Sequence, residues 1–84
     1  MSAPLVLFGT RACTLCEQAR ALVLPVAEAF GWALVEQDVA DDDRLFERYG
    51  TRVPVLRRDD LDAELAWPFD AAGVAELLGR PRSG

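Results

Sequence analysis

The 84-residue chain contains no histidine and no lysine, and cysteine occurs only twice. Without imidazoles or a third thiol it cannot close a four-ligand thiolate or imidazole metal site by itself. All nine basic residues are arginine, so lysine-assisted thiolate activation is unavailable. Positive charge is in deficit: nine basic residues face fourteen acidic ones, for a net charge of −5. That balance argues against nucleic acid or an anionic membrane surface as a partner. No apolar run approaches the roughly 20 residues needed to span a bilayer. The opening Met1-Ser2-Ala3-Pro4 lacks a basic segment, and Leu5-Val6-Leu7-Phe8 is too short for a signal core. The expected compartment is therefore the cytoplasm, where thiols are kept reduced. Linkers and low-complexity tracts are also lacking. A hydrophobic content of 51% suffices for one core, so residues 1–84 are expected to form a single domain, with 79–84 as a flexible tail.

The two cysteines that are present form Cys13-Thr14-Leu15-Cys16, after an apolar run and at the start of a helical pattern. Such a pair places its sulfurs on the first turn of a helix, where free backbone N–H groups and the helix dipole stabilise a thiolate. In a reducing compartment a lone Cys-x-x-Cys reads as redox-active rather than structural. Its short spacing would close only a tiny loop, which restricts the unfolded chain little.

Hydrophobic patterning predicts a buried strand over Leu5–Phe8, then a helix from Cys16 that Pro25 should kink or end near Leu24. The pattern can resume through Phe30, with Gly31 as its stop. A second strand is expected over Trp32–Val39. Asp41-Asp42-Asp43 should supply the N-cap of a helix over Arg44–Tyr49, closed by Gly50. A third strand is expected over Val53–Leu56, a turn at Arg57-Arg58-Asp59-Asp60, and a fourth strand over Ala63–Trp67, the last two forming a hairpin. Asp70 should cap a final helix with Val74, Leu77 and Leu78 facing inward. The order β-α-β-α-β-β-α implies an α/β fold with one mixed sheet covered by helices.

A strand, a Cys-x-x-Cys at a helix start and a Val53-Pro54 before a later strand together resemble the glutaredoxin branch of the thioredoxin fold. Cys13-Thr14-Leu15-Cys16 and Trp67-Pro68-Phe69 are more similar to a group of short bacterial glutaredoxin-like proteins with Cys-x-Leu-Cys and Trp-Pro-Phe motifs. The resemblance spans Leu5 to about Leu78. It implies a four-stranded mixed sheet with helices on both faces and a cis bond before Pro54. It also implies that the backbone at Val53 receives an extended substrate segment by strand addition.

On that resemblance Cys13 is the nucleophile and Cys16 resolves the mixed disulfide. Thr14 can offer a hydroxyl to a sulfur, Leu15 can only pack, and Arg11 adds positive charge near Cys13. The glutathione pocket of glutaredoxins is altered: Thr10 stands at the lysine position, and Pro68 and Phe69 replace two glycines, although Asp70 matches the acidic position. No bound cofactor is expected, and glutathione enters only as a candidate electron donor. Trp67 and Phe69 either anchor the last helix or flank the active site. The expected activity is reduction of disulfides on a protein partner by a monomer served by an unidentified reductant. Two other readings stay open: a non-catalytic binding module acting through Val53-Pro54, and a metal or iron–sulfur site shared by two chains through the same cysteines.

Overall fold

In the computed structural model the described residues are 5–11 and 13–81. Strand β1 covers Leu5–Gly9, helix α1 Thr14–Ala29, β2 Leu34–Asp38, α2 Asp43–Tyr49, β3 Val55–Arg58, β4 Ala63–Ala66 and α3 Ala71–Gly79. The four strands form one mixed sheet in the order β2-β1-β3-β4. β1 runs parallel to β2 and antiparallel to β3, which in turn pairs antiparallel with β4.

Alternation along the central strands assigns each helix to a face. Leu5 and Leu7 of β1, with Leu56 of β3, pack against Ala19, Val23 and Ala27 of α1 and Val74, Leu77 and Leu78 of α3. Val6 and Phe8 point the other way and meet α2 through Leu45 and Tyr49. Phe8 and Tyr49 stack with ring centroids 4.3 Å apart. Helices therefore cover both faces. No helix among the described residues is long and apolar enough to cross a membrane.

Several boundaries differ from the sequence expectation for identifiable reasons. Pro25 does not end α1, which continues as helix to Ala29. Proline removes one N–H and sits on the exposed side, while Val23 and Ala27 anchor the helix to the core on either side of it. Trp32 does not begin β2, because its N–H is drawn back to the Ala27 carbonyl at 2.8 Å while Gly31 donates to Glu28. With Gly31 at φ +75° this is a Schellman closure of α1, and it buries the indole in the core. Val39 belongs to a short 3₁₀ turn, Val39–Asp41, rather than to the strand. The N-cap of α2 is Asp42, whose carboxylate accepts from the N–H groups of Arg44 and Leu45. Gly50 follows α2 where a Cβ would collide with the Phe46 carbonyl.

The largest difference concerns Arg57 and Arg58. Both are strand residues, paired with Glu64 and Ala63 of β4, and the turn lies at Asp59–Leu61 with Asp62 at φ 51°. Strand alternation sends Arg58 to the same face as Leu56, where it is fully buried. Its guanidinium grips Asp60 at two 2.9 Å contacts, donates to the carbonyls of Leu77, Arg80 and Pro81, and lies 4.6 Å over the Trp32 ring. The stretch after α3 is thus tied to the sheet as far as Pro81; residues 82–84 of the expected tail lie outside the described residues.

Candidate functional site

Strand β1 ends at Gly9, and a short loop carries the chain to Cys13, the N-cap of α1. Cys13 has extended backbone angles, and its Sγ accepts the Cys16 N–H at 3.2 Å, a bond that an N-cap side chain makes with one of the unpaired donors of the first turn. Cys13 and Cys16 are joined as a disulfide with Cα atoms 5.2 Å apart, inside the usual range for such a link. Both cysteine residues are half-buried. Gly9 sets the closeness of strand and helix: a Cβ there would stand 3.1 Å from Cys16 Sγ. In the sequence Gly9 marks only a strand end, because nothing in the chain reveals which atoms approach it.

A groove of about 460 Å³ opens beside the disulfide, walled by the carboxyl ends of β1 and β2 and the first turns of α1. Crevices at the carboxyl ends of parallel strands are the usual binding places of open α/β sheets. Cys13, Cys16 and Arg11 all line it. Arg11 pairs with Asp38 at 3.5 Å, with 88% of its side chain exposed. Glu17, Arg20, Glu36 and Asp38 complete the charged lining. Glu36 and Asp38 are not evident in the sequence as site residues, since the parallel register that sets Leu7 beside Glu36 and Gly9 beside Asp38 is not encoded locally; Glu17 and Arg20 have only the pattern of an outer helix face.

Thr14 and Leu15 are exposed on the first turn. Among the described residues the Thr14 hydroxyl makes no hydrogen bond to a sulfur, and Leu15 does not pack into the core but stands 46% exposed as an apolar surface at the site. Val53 and Pro54 do not line the groove. They directly precede β3, which pairs with β1 on the side away from β2 and meets Phe8 through Val55. The Val53–Pro54 peptide is cis, as is Trp67–Pro68. Pro54 is buried, its carbonyl accepts the Trp67 N–H at 3.1 Å, and Val53 donates its own N–H to Tyr49 at 3.0 Å. An incoming strand would therefore find the Val53 carbonyl rather than both backbone groups. Trp67 and Phe69 meet edge to face, centroids 5.1 Å apart, and both pack half-buried against the core of α1 and α3. Asp70 caps α3 through a 2.7 Å bond from the Gly73 N–H. These three residues anchor the last helix and lie away from the groove.

The loop before Pro54 is braced by a carboxylate at the centre of an arginine cluster. Glu64 accepts a short hydrogen bond from the Tyr49 hydroxyl and pairs with Arg57 at 3.1 Å and Arg52 at 3.3 Å, with Arg48 at 3.8 Å. Burial raises the Glu64 pKa, but hydrogen bonds from Tyr49 and Arg57 and the charge of Arg48 outweigh it and hold the carboxyl below its ordinary value. Burial, followed by the bond to Glu64, pushes Tyr49 up. A depressed carboxylate stabilises the fold above its unfolded pKa, near 4.5, and that stability is lost as pH falls through the lower folded value. A raised tyrosine contributes below pH 10.0 and loses its contribution as pH climbs through the higher folded value. Glu64→Gln should cost about 1–2 kcal/mol at pH 7 and flatten the loss of stability below pH 4.5. Urea midpoints of both proteins from pH 3 to 7 check this, and parallel profiles would reject it.

Among the described residues no three His, Cys, Asp or Glu side chains are grouped to hold a metal ion. Known structures of target protein XcR50 from X. campestris are similar to this chain. The X-ray structure is 41% identical with a TM-score of 0.76, over 92% of this chain and 99% of that one. The solution structure is 38% identical with a TM-score of 0.75, over 95% and 99%. No curated protein matches the chain. The family model described as Glutaredoxin-like domain (DUF836) matches residues 4–79, and with the Cys13–Cys16 disulfide at the head of α1 in a β2-β1-β3-β4 sheet, the chain belongs to that glutaredoxin-like family of the thioredoxin fold.

Proposed function

We propose that the protein is a thiol–disulfide oxidoreductase that reduces protein or mixed disulfides, with Cys13 as attacking and Cys16 as resolving thiol. The observation that supports it most is the cap itself: Cys13 Sγ receives the Cys16 N–H at the positive end of a 16-residue helix, beside an open groove. In the reduced protein the same N–H and the same dipole favour a thiolate at Cys13, the species that attacks disulfides. Electrons reach the pair from a cytoplasmic reductant, either glutathione or a thioredoxin-reductase-type enzyme, and no resident cofactor takes part.

A redox titration in glutathione buffers, with species counted by intact mass, tests the reading. The expected result is one internal disulfide, two hydrogens lighter, appearing over a defined range of potential. Accumulation of a glutathione adduct beside it would make glutathione the electron donor. Two thiols unmodified over the whole range would remove the redox reading in favour of a binding module.

A further inference from the structure

The groove beside the disulfide carries an unequal set of charges. Two arginines, Arg11 and Arg20, face three carboxylates, Glu17, Glu36 and Asp38. Both arginines already have a partner: Arg20 lies 3.1 Å from Glu36, and Arg11 lies 3.5 Å from Asp38. Glu17, exposed on the first turn directly after Cys16, forms no ion pair among the described residues. Each pair uses only the arginine Nε, so a ligand anion could reach the outer N–H groups, but there it would sit beside the carboxylate that the arginine already holds. A ligand cation meets Glu17 without breaking any contact. It can also share Glu36 or Asp38, because exposed ion pairs hold their partners by less than about 1 kcal/mol. Reduction adds negative charge at Cys13, and the net charge of −5 gives the surrounding field the same sign.

We infer that this groove selects disulfides that carry positive charge beside the sulfur, such as an arginine- or lysine-flanked cystine of a protein, with Glu17 and Glu36 as the residues that read the charge. The inference rests on the dithiol reading above and names its substrate class. In the reaction the Cys13 thiolate attacks one sulfur of a disulfide RSSR, forming Cys13–S–S–R and releasing RS⁻. The Cys16 thiolate then attacks the Cys13 sulfur, closing the internal disulfide and releasing the second RS⁻. The dithiol loses two electrons, RSSR gains them, and the two protons of the dithiol end on the two product thiols.

The test uses full-length protein, reduced beforehand and freed of reductant, so that one turnover needs no other donor. Its rate of conversion to the internal disulfide is measured by intact mass with cystamine, which bears two ammonium groups, and with 3,3′-dithiodipropionate, which bears two carboxylates. Rates of the same disulfides with 2-mercaptoethanol, an uncharged thiol, normalise their intrinsic reactivity. Steering by a groove of one sign is worth about tenfold or more, so the normalised ratio should favour cystamine by roughly tenfold at low salt. It should approach one near 1 M salt, where the screening length is about 3 Å. Glu17→Gln and Glu36→Gln should each lower the ratio about two- to threefold. The ratio cancels any change these variants cause in the nucleophilicity of Cys13. Glu47→Gln, on α2 and outside the groove, removes the same net charge and should leave the ratio within about 1.5-fold, as a distant exposed charge is largely screened. A normalised ratio near one at low salt overturns the inference, as does an equal drop in Glu47→Gln, which would make net charge the cause. If neither disulfide oxidises the protein, the dithiol reading fails first and the inference falls with it.

Discussion

Replacing Arg58 with alanine is expected to lower the stability of the fold by about 3–5 kcal/mol, measured as a shift in the urea unfolding midpoint at unchanged slope. For a domain of this length the total is only about 4–13 kcal/mol, so the loss takes at least about a quarter of it. The size of the effect follows from what the guanidinium satisfies. Asp60, with only 8% of its side chain exposed, loses both of its 2.9 Å hydrogen bonds from Arg58. The carbonyls of Leu77, Arg80 and Pro81 lose their donors at the end of α3, where helix carbonyls have no partner within the helix. Trp32 loses the cation over its ring. Removing one partner of a buried charge pair costs far more than the pair contributes, because the remaining charge stays desolvated. Arg58→Lys should recover less than half of the loss, since one ammonium cannot reproduce a planar fork that reaches a carboxylate and three carbonyls together. A loss below about 1 kcal/mol in Arg58→Ala would show that water replaces the guanidinium at this site and that the tie is dispensable.

That residue also marks where sequence reading stops. Amphipathic spacing, Gly31 and the capping aspartates located α1, α2 and α3 because helices are encoded by contacts three and four residues apart and by their end groups. The run Arg57-Arg58-Asp59-Asp60 has the composition of a turn, since four adjacent charges ordinarily lie in solvent. Whether a charge can enter the core depends on partners far along the chain, here carbonyls 19 to 23 residues away. The same limit governs the site. Cys13 and Cys16 announced themselves by spacing, and a glycine before them by the end of an apolar run. The charged wall made by Glu36 and Asp38 depends on the β1–β2 register, and the separation of Val53-Pro54 from the groove depends on β1 standing between β2 and β3. The place of Trp67 and Phe69 against the core depends on α3 packing beside α1, a contact that no local pattern encodes.

Serine at each cysteine in turn should divide the reaction at its intermediate. Cys13→Ser removes the only thiol that caps α1, and a hydroxyl at neutral pH is not a nucleophile toward a disulfide. Its rate with any disulfide substrate should fall by roughly 10³-fold or more, as expected when a covalent nucleophile is lost. The fold should survive, because serine is itself a favoured N-cap and can accept the Cys16 N–H that Cys13 Sγ accepts at 3.2 Å. Cys16→Ser keeps the attacking sulfur but loses the group that closes the internal disulfide. With a disulfide peptide in excess it should accumulate a stable adduct, one substrate thiol per chain, visible by intact mass and released by dithiothreitol. The asymmetry follows from geometry: Cys13 is the N-cap, with the Cys16 N–H aimed at its sulfur, while Cys16 lies within the first turn, its sulfur against Gly9. An adduct on Cys13→Ser and none on Cys16→Ser would reverse the roles and place the attacking thiol at Cys16. Equal activity of both single variants with the parent protein would show that neither sulfur takes part, and the groove would then belong to a binding surface.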